Sequence, residues 1–176
     1  FTGIGPFSVP EWYNRSSMGG RLAGMMKEAG YDAVVIMGKA ASPVWINVVN
    51  DRVEFNDATD LWGLDTFETQ ERIWDEVTHG TPEGSWYELS GSRDGGRTTQ
   101  RPSVMCIGPA GENLVRTATI THDASHVAGQ SGLGAVWGAK NLKALSFIGS
   151  KSFDIADPAT LVDLRIELQR DYGFHV

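Results

Sequence analysis

Short apolar stretches alternate with polar and glycine-rich segments along this chain, a pattern that predicts β-strands separated by turns. The predicted strands comprise residues 33–37, 44–49, 52–55, 103–107, 114–120 and 142–148, with a turn at 108–111. Asn50 and Asp51 favour a hairpin between the second and third strands, because both residue types accept left-handed backbone geometry. Helices are predicted at 18–29, after Asp65, at 132–140 and from Asp157-Pro158 onward.

Two further patterns refine this outline. The helix after Asp65 has the spacing of a capping box, and its apolar stripe is formed by Phe67, Ile73, Trp74 and Val77. Residues 79–102 are rich in Gly, Ser, Thr and Pro, which predicts a long inserted loop. Because strands outnumber helices and are mostly joined by turns, we expect an α+β fold rather than a doubly wound parallel sheet.

A glycine-rich pattern occurs twice, in repeat halves of roughly 16–55 and 126–149, and leads to Gly38 in the first copy and to Gly149 in the second. In each copy small residues precede a helix-length segment, and a short linker and an apolar run follow. Duplication predicts two β-rich units in a pseudo-two-fold arrangement with both glycine corners facing one crevice. Glycine at a helix start lets backbone N–H groups approach an anion such as phosphate. Turn geometry and close packing explain such glycines equally well, so the residues alone leave both readings open.

Charge and composition exclude several classes of protein. The net charge of −7, without a cluster of Lys or Arg, argues against a nucleic-acid surface. No apolar run approaches the ~18 residues of a membrane span, so none is predicted. The single cysteine, Cys106, excludes an internal disulfide, and its apolar neighbours predict a buried, unreactive thiol in a reducing compartment.

The histidine cluster offers candidate chemistry. His122 and His126 have the spacing of a helical metal-binding pair, but the Ala-Gly-Gln-Ser-Gly run after them favours a loop. A hydrogen-bonding role toward a ligand and a structural role remain the alternatives. The glycine spacing after residue 132 does not fit the dinucleotide-binding fingerprint, and no complete catalytic constellation is visible.

Four longer motifs carry a family resemblance. They are Gly-Tyr-Asp-Ala with Gly-Lys-Ala in 30–40, Leu-Trp-Gly-Leu-Asp-Thr-Phe-Glu-Thr in 61–69, Ile-Gly-Pro-Ala-Gly-Glu-Asn-Leu-Val-Arg in 107–116 and Gly-Ala-Val-Trp-Gly-Ala-Lys-Asn-Leu-Lys-Ala in 134–144. The chain thereby resembles the aldehyde:ferredoxin oxidoreductase family of tungsten enzymes from about residue 16 to 157. The resemblance implies that residues 1–157 form the family's N-terminal pterin-binding domain, incomplete at its start and interrupted by the 79–102 insertion. Residues 158–176 would then begin the next, helical domain.

The resemblance also implies a cofactor and the residues that bind it. In this family a duplicated β-rich unit provides two sheets that form a base under the cofactor. The cofactor is a tungsten ion, rarely molybdenum, held by two molybdopterins whose phosphates are bridged by magnesium. We call residues 17–20 the first corner and residues 126–130 the second corner. The family's cofactor-binding positions fall on Ser17, Gly19, Gly20, His126, Val127, Gly129 and Gln130, and the main-chain carbonyls of Ser17 and Val127 fall on magnesium-binding positions.

Departures from the family pattern bear on the reaction. Two arginines of the family become His126 and Gln130, and an asparagine becomes Ser17, so two cations that pair with the cofactor are lost. These changes and the insertion put the substrate in question rather than the cofactor.

Three functions are compatible with the resemblance. The first is a cytoplasmic, oligomeric enzyme that oxidises aldehydes to carboxylic acids. In that reading this chain works with the rest of the same enzyme, which supplies a 4Fe–4S cluster that passes electrons to ferredoxin or to an iron–sulfur subunit. The alternatives are the tungsten subunit of a class II benzoyl-CoA reductase and a non-catalytic pterin-binding module.

Overall fold

The computed structural model describes residues 1–89, 96–123, 126–152 and 154–173 of the chain. Within them, one six-stranded sheet and two two-stranded sheets combine with five α-helices, which confirms the α+β class. The strands are β1 (Thr2–Gly5), β2 (Trp12–Arg15), β3 (Val44–Val49), β4 (Arg52–Asp57), β5 (Tyr87–Glu88), β6 (Arg97–Thr98), β7 (Ser103–Cys106), β8 (Ile120–His122), β9 (His126–Ala128) and β10 (Leu142–Ile148). The helices are α1 (Leu22–Glu28), α2 (Thr66–Thr78), α3 (Pro109–Glu112), α4 (Leu133–Ala139) and α5 (Pro158–Tyr172), with short 3-10 turns at Thr59–Leu61 and Gln130–Gly132.

The six-stranded sheet organises the core. Its order is β4-β3-β10-β7-β8-β9, and only β3 and β10 run parallel. Apolar side chains alternate between two clusters on its opposite faces: Met105 packs with α1 and α4, whereas Val104 and Cys106 pack with Ile73 of α2. Because both faces of the sheet are covered, every residue of β10 is buried, including the polar residues Lys143 and Ser146.

Several local predictions are confirmed. The β3–β4 hairpin turns at Asn50, whose φ of 51° is left-handed. Asp65 caps α2 by accepting hydrogen bonds from the backbone N–H groups of Phe67 and Glu68 at 2.8 and 2.9 Å, and the Glu68 carboxylate completes the capping box. Helix α5 begins at Pro158, as its sequence predicts. Phe67 is the exception, because it is exposed and does not join the buried stripe of α2.

The predicted strand at 33–37 does not form within the described residues. Val35 and Met37 are 81% and 85% exposed, and only part of this segment turns toward apolar side chains. The physical reason lies in the sheet: β10 is flanked by β3 and β7, so neither side of it accepts residues 33–37. An apolar run forms a buried strand only where another strand is free to pair with it.

The predicted strand at 114–120 is also wrong, because the turn predicted at 108–111 is the short helix α3. The helix ends in a Schellman motif, in which Leu114 adopts a left-handed φ of 57° and Val115 N–H donates to the Ala110 carbonyl at 2.9 Å. Chain reversal leaves Leu114 and Val115 exposed, and only Ile120 enters a strand.

The insertion at 79–102 contains more structure than a loop. Its described part holds the short antiparallel pair β5–β6, and residues 90–95 of the predicted loop lie outside the described residues. Trp74 of α2 donates through its indole Nε1 to the Pro102 carbonyl at 2.9 Å, which anchors the returning end. The insertion therefore packs back onto the main body.

Candidate functional site

The two corners lie side by side in the structure, although more than a hundred residues separate them. The Gln130 N–H donates to Ser16 Oγ at 3.1 Å. A Cβ atom built on Gly19 would lie 3.0 Å from His126 Nδ1, and one on Gly20 would lie 2.7 Å from a carbon of the His122 ring. The first corner therefore rests directly on the two histidine rings.

The predicted cofactor-binding residues lie at the surface of this junction. Six of them are exposed and His126 is partly buried: the exposed ones are Ser17, Gly19, Gly20, Val127, Gly129 and Gln130. The structure brings together all seven positions that the sequence singled out. Six of the seven positions are thus exposed at one surface, as contact with a large ligand requires.

The histidines sit on paired strands rather than in the predicted loop. His122 on β8 is the direct cross-strand partner of His126 on β9, and their ring centroids are 6.1 Å apart. His122 is buried, with Nδ1 2.9 Å from the Val104 carbonyl and Nε2 3.1 Å from Asp123 Oδ2. Among the described residues no group of three His, Cys, Asp or Glu side chains is placed to hold a metal ion. The rings thus support the first corner structurally.

An ion pair connects the residue that follows the first corner with a residue that precedes the second corner. Arg21 donates from Nε and from one terminal nitrogen to the two oxygens of Asp123, at 2.8 and 3.0 Å. Burial raises the pKa of the Asp123 carboxyl, but the hydrogen bonds from His122 and Arg21 and their charges outweigh it and hold this pKa well below its usual range. Asp123 is therefore an anion at neutral pH.

Arg21 also reaches the insertion. Its other terminal nitrogen donates to the Arg101 carbonyl at 3.0 Å, and the Arg101 guanidinium stacks over Trp74 at 4.9 Å. No motif in the sequence predicts a role for Arg21 or Arg101. The sequence signal that could have identified Arg21 is its position directly after a glycine pair, because a residue there lies close to any ligand that the glycine main chain contacts.

The structure separates glycines needed for packing from one that is not. A Cβ on Gly134 would lie 2.4 Å from the Thr119 carbonyl, and one on Gly138 would lie 2.0 Å from the Gly111 carbonyl. Gly129 differs, because its φ of −85° suits any residue and its Cβ would only make an ordinary contact, 3.7 Å from Val127. Among the described residues, neither backbone geometry nor packing explains the glycine at 129.

An apolar groove of about 660 Å³ lies away from the corners. It runs between α1, α4, β1 and the sheet, and its walls include Met26, Val34 and Trp137. None of the seven predicted residues lines it. The groove belongs to the packing of the domain rather than to the junction of the corners.

Cys106 is the buried, unreactive thiol that its sequence context predicts. Its side chain is fully buried and points to the Thr66 carbonyl. Burial raises the pKa of the thiol to about 12, so the thiolate is absent at neutral pH.

Comparison with known proteins identifies related sequences. The profile of the family described as "Aldehyde ferredoxin oxidoreductase, N-terminal domain" matches residues 4–149. A tungsten-containing aldehyde ferredoxin oxidoreductase of Pyrococcus furiosus is 40% identical over 142 residues, which are 81% of this chain and 20% of the relative. An aliphatic sulfonate oxidoreductase, WOR-like subunit, of the same organism is 40% identical over 125 residues, 71% of this chain and 19% of the relative. The chain thus spans about a fifth of the length of these relatives.

A solved structure shares the fold. The structure described as "Active site complex BamBC of Benzoyl Coenzyme A reductase in complex with 1,5 Dienoyl-CoA" superposes with a TM-score of 0.78 and 33% identity. The superposition covers 97% of this chain and 22% of the other. In the part of the chain that the structure describes, no helix has the length and apolarity needed to cross a membrane.

Proposed function

Because the chain belongs to the aldehyde ferredoxin oxidoreductase family, we propose that it is the cofactor-binding part of a tungsten-bispterin oxidoreductase. The proposed reaction oxidises an aldehyde to a carboxylic acid, with one water oxygen entering the product and two protons and two electrons leaving. The electrons pass through a 4Fe–4S cluster, bound outside this chain, to ferredoxin or to an iron–sulfur subunit. The rest of the same enzyme completes the substrate pocket.

One observation carries this proposal: two distant glycine corners converge at the surface, where their residues are mostly exposed. The Ser16–Gln130 hydrogen bond and the packing of Gly19 on His126 fix their relative position. In the proposal Ser17, Gly19 and Gly20 contact one pterin. His126, Val127, Gly129 and Gln130 contact the other. The main-chain carbonyls of Ser17 and Val127 hold magnesium.

The residues present fit such a cofactor. The first corner has no side chain larger than serine at 17, 19 and 20, and Gly129 leaves the second corner open to close approach. When bound, the tungsten–pterin group supplies the two-electron chemistry, and the protein positions it and excludes competing reactions. His126 and Gln130 supply hydrogen-bonding groups at the second corner.

Metal and pterin analysis of the intact protein, purified without oxygen, tests the proposal. Stoichiometric tungsten with iron and with pterin released on denaturation is expected. Pterin with tungsten but no activity on any aldehyde or acyl-CoA would favour the non-catalytic pterin-binding module. Absence of tungsten, molybdenum and pterin would overturn the proposal.

Replacement of Gly129 by valine tests the placement of the cofactor. The variant is expected to fold normally, since the valine Cβ makes no close contact within the chain, but to lose tungsten because its side chain occupies the position of the ligand. Gly24→Val is the matched control: Gly24 lies in α1 with nothing within 4 Å of its Cβ position, so this variant should keep its tungsten. A folded Gly129→Val protein with the wild-type tungsten content would refute the placement.

A second reaction is favoured by one specific observation. The solved structure that shares the fold is described as an active-site complex of benzoyl-CoA reductase, and it is 33% identical and superposes on 97% of this chain with a TM-score of 0.78. The second candidate is therefore the tungsten subunit of a class II benzoyl-CoA reductase-type enzyme. Anaerobic assays with an aldehyde and a viologen, and with a cyclic dienoyl-CoA and the same acceptor, distinguish the two by which substrate is turned over.

We further propose a domain organisation, a location and an assembly state for the enzyme. Residues 1–157 form the pterin-binding domain, and α5 begins a following helical domain, which agrees with the absence of buried side chains on this helix among its described residues. We place the enzyme in the cytoplasm as an oligomer. Size-exclusion chromatography with light scattering measures the assembly state.

A further inference from the structure

We propose that Arg21 is a positioning residue that fixes the spacing between the two corners and connects them to the insertion. Arg21 follows Gly20 directly and precedes the first residue of α1, so its backbone is continuous with the first corner. Asp123 directly follows β8, three residues before the second corner begins. The inference rests on the proposed function, because it assigns to Arg21 the retention of the cofactor that both corners contact.

The hydrogen bonds of Arg21 are directional. Three of the five guanidinium N–H groups are used: two donate to Asp123 at 2.8 and 3.0 Å, and one donates to the Arg101 carbonyl at 3.0 Å. These bonds span 102 and 80 residues of the chain, so they hold segments that no local structure connects. A planar guanidinium bonded to both oxygens of a carboxylate fixes orientation as well as distance, which a lysine ammonium cannot do.

The ion pair is one of two interactions that connect the corners. The second interaction is the hydrogen bond from the Gln130 N–H to Ser16 Oγ. Along the first corner, Ser16 lies before the predicted cofactor-binding residues and Arg21 lies after them. The first corner is therefore held at both of its ends against the segment that carries the second corner.

The backbone geometry of Gly20 and of Asp123 depends on the distance between the two corners. Gly20 has a φ of +90°, and a Cβ there would come within 2.8 Å of atoms of both histidine rings. Asp123 has a left-handed φ of 43°, which aspartate accepts better than most residues when its side chain is bonded. Loss of the Arg21 guanidinium removes two hydrogen bonds from the Asp123 carboxylate, which then keeps only its contact with His122 among the described contacts. The hydrogen bond between Gln130 and Ser16 is then left to hold the first corner against the second.

Dissociation of the cofactor from the intact, loaded protein tests the inference. Arg21→Gln is expected to release tungsten at least about tenfold faster than the wild type, which corresponds to the loss of one charge-assisted hydrogen bond at a half-exposed site. Arg21→Lys keeps the charge without the paired geometry and should fall between the two. Asp123→Asn keeps a side chain that tolerates left-handed geometry, so it tests the ion pair apart from the backbone. Tungsten that remains after gel filtration at set times gives each rate.

Arg52→Gln is the matched control, because Arg52 forms an exposed ion pair with Glu54 on β4, at the opposite edge of the sheet from β9. This variant should release tungsten at the wild-type rate. If Arg21 acts through Asp123, the double variant Arg21→Gln/Asp123→Asn should release tungsten no faster than the worse single variant. Molecules that keep the cofactor should show displaced lines in the paramagnetic resonance spectrum of tungsten(V), which a change in stability alone would not produce.

The outcomes separate this inference from the proposed function. Wild-type protein without pterin would overturn both. A wild type that holds tungsten, together with Arg21 variants that release it at the wild-type rate, would overturn only the positioning role. Additive rates in the double variant would overturn the action through Asp123.

Discussion

Lys143 forms a buried ion pair whose disruption should destabilise the protein strongly. Its side chain is 0% exposed and that of Glu112 is 4% exposed, and the Nζ–Oε1 distance is 2.5 Å. Lys143 also donates to the Leu64 carbonyl at 2.8 Å, and Glu112 accepts the Gly63 N–H at 2.9 Å. The pair therefore anchors α3 and the segment before α2 to the central strand β10.

The expected cost follows from this burial. Lys143→Met leaves the Glu112 carboxylate in a nearly dry environment with only the Gly63 N–H to compensate it. Removing one partner of a buried ion pair costs about 3–5 kcal/mol. Adding Glu112→Gln to Lys143→Met should restore at least about 2 kcal/mol of the free energy of unfolding. The neutral amide still accepts a hydrogen bond from the Gly63 N–H, and no unpaired charge remains buried.

Hydrogen–deuterium exchange of the intact protein, read by mass spectrometry on peptides covering residues 59–66 and 107–116, measures the effect. Exchange of the Gly63 amide should accelerate at least about 100-fold in Lys143→Met, since each factor of ten equals about 1.4 kcal/mol. Lys140→Met is the control: Lys140 donates to the Gly38 carbonyl at an exposed site, and its loss should change these peptides little. Acceleration below about fivefold in Lys143→Met, or a double variant that exchanges faster than the single one, would refute the reasoning.

Two further predictions concern residues outside the site. Asp65→Ala removes the side-chain cap of α2 and should cost about 1 kcal/mol, measured as faster amide exchange in the first turn of that helix; unchanged exchange would contradict the role of the cap. The Cys106 thiol, whose pKa burial raises to about 12, should resist iodoacetamide at pH 8 to 9 in the folded protein and react fully after unfolding. Peptide mapping locates the label, and labelling of Cys106 in the native state would show that the thiol is accessible.

Much of the local structure follows from the sequence. The β3–β4 hairpin, the capping box of α2 and the start of α5 depend on interactions between residues a few positions apart, and those the sequence predicts correctly. The strand β10 is also predicted correctly, although it pairs with the distant strands β3 and β7. The strands predicted at 33–37 and 114–120 fail for the opposite reason. Their apolar residues match a strand pattern, but a strand also needs a partner, and both sides of β10 are occupied by β3 and β7. At 114–120 the Schellman ending of α3 reverses the chain before pairing begins.

The candidate site likewise combines features that the sequence predicts with features that only the tertiary structure shows. The sequence by itself identified the family, the two glycine corners and the residues within them, because these are read from short stretches. The role of Gly129 as distinct from Gly134, the pairing of Arg21 with Asp123, and the burial of Lys143 against Glu112 were decided by the tertiary structure. Each depends on direct contact between atoms whose residues are far apart in the chain, and no local pattern encodes that contact. Short stretches of sequence thus specify which residue types are present at the site. The packing of the sheet determines which of their side chains come into contact.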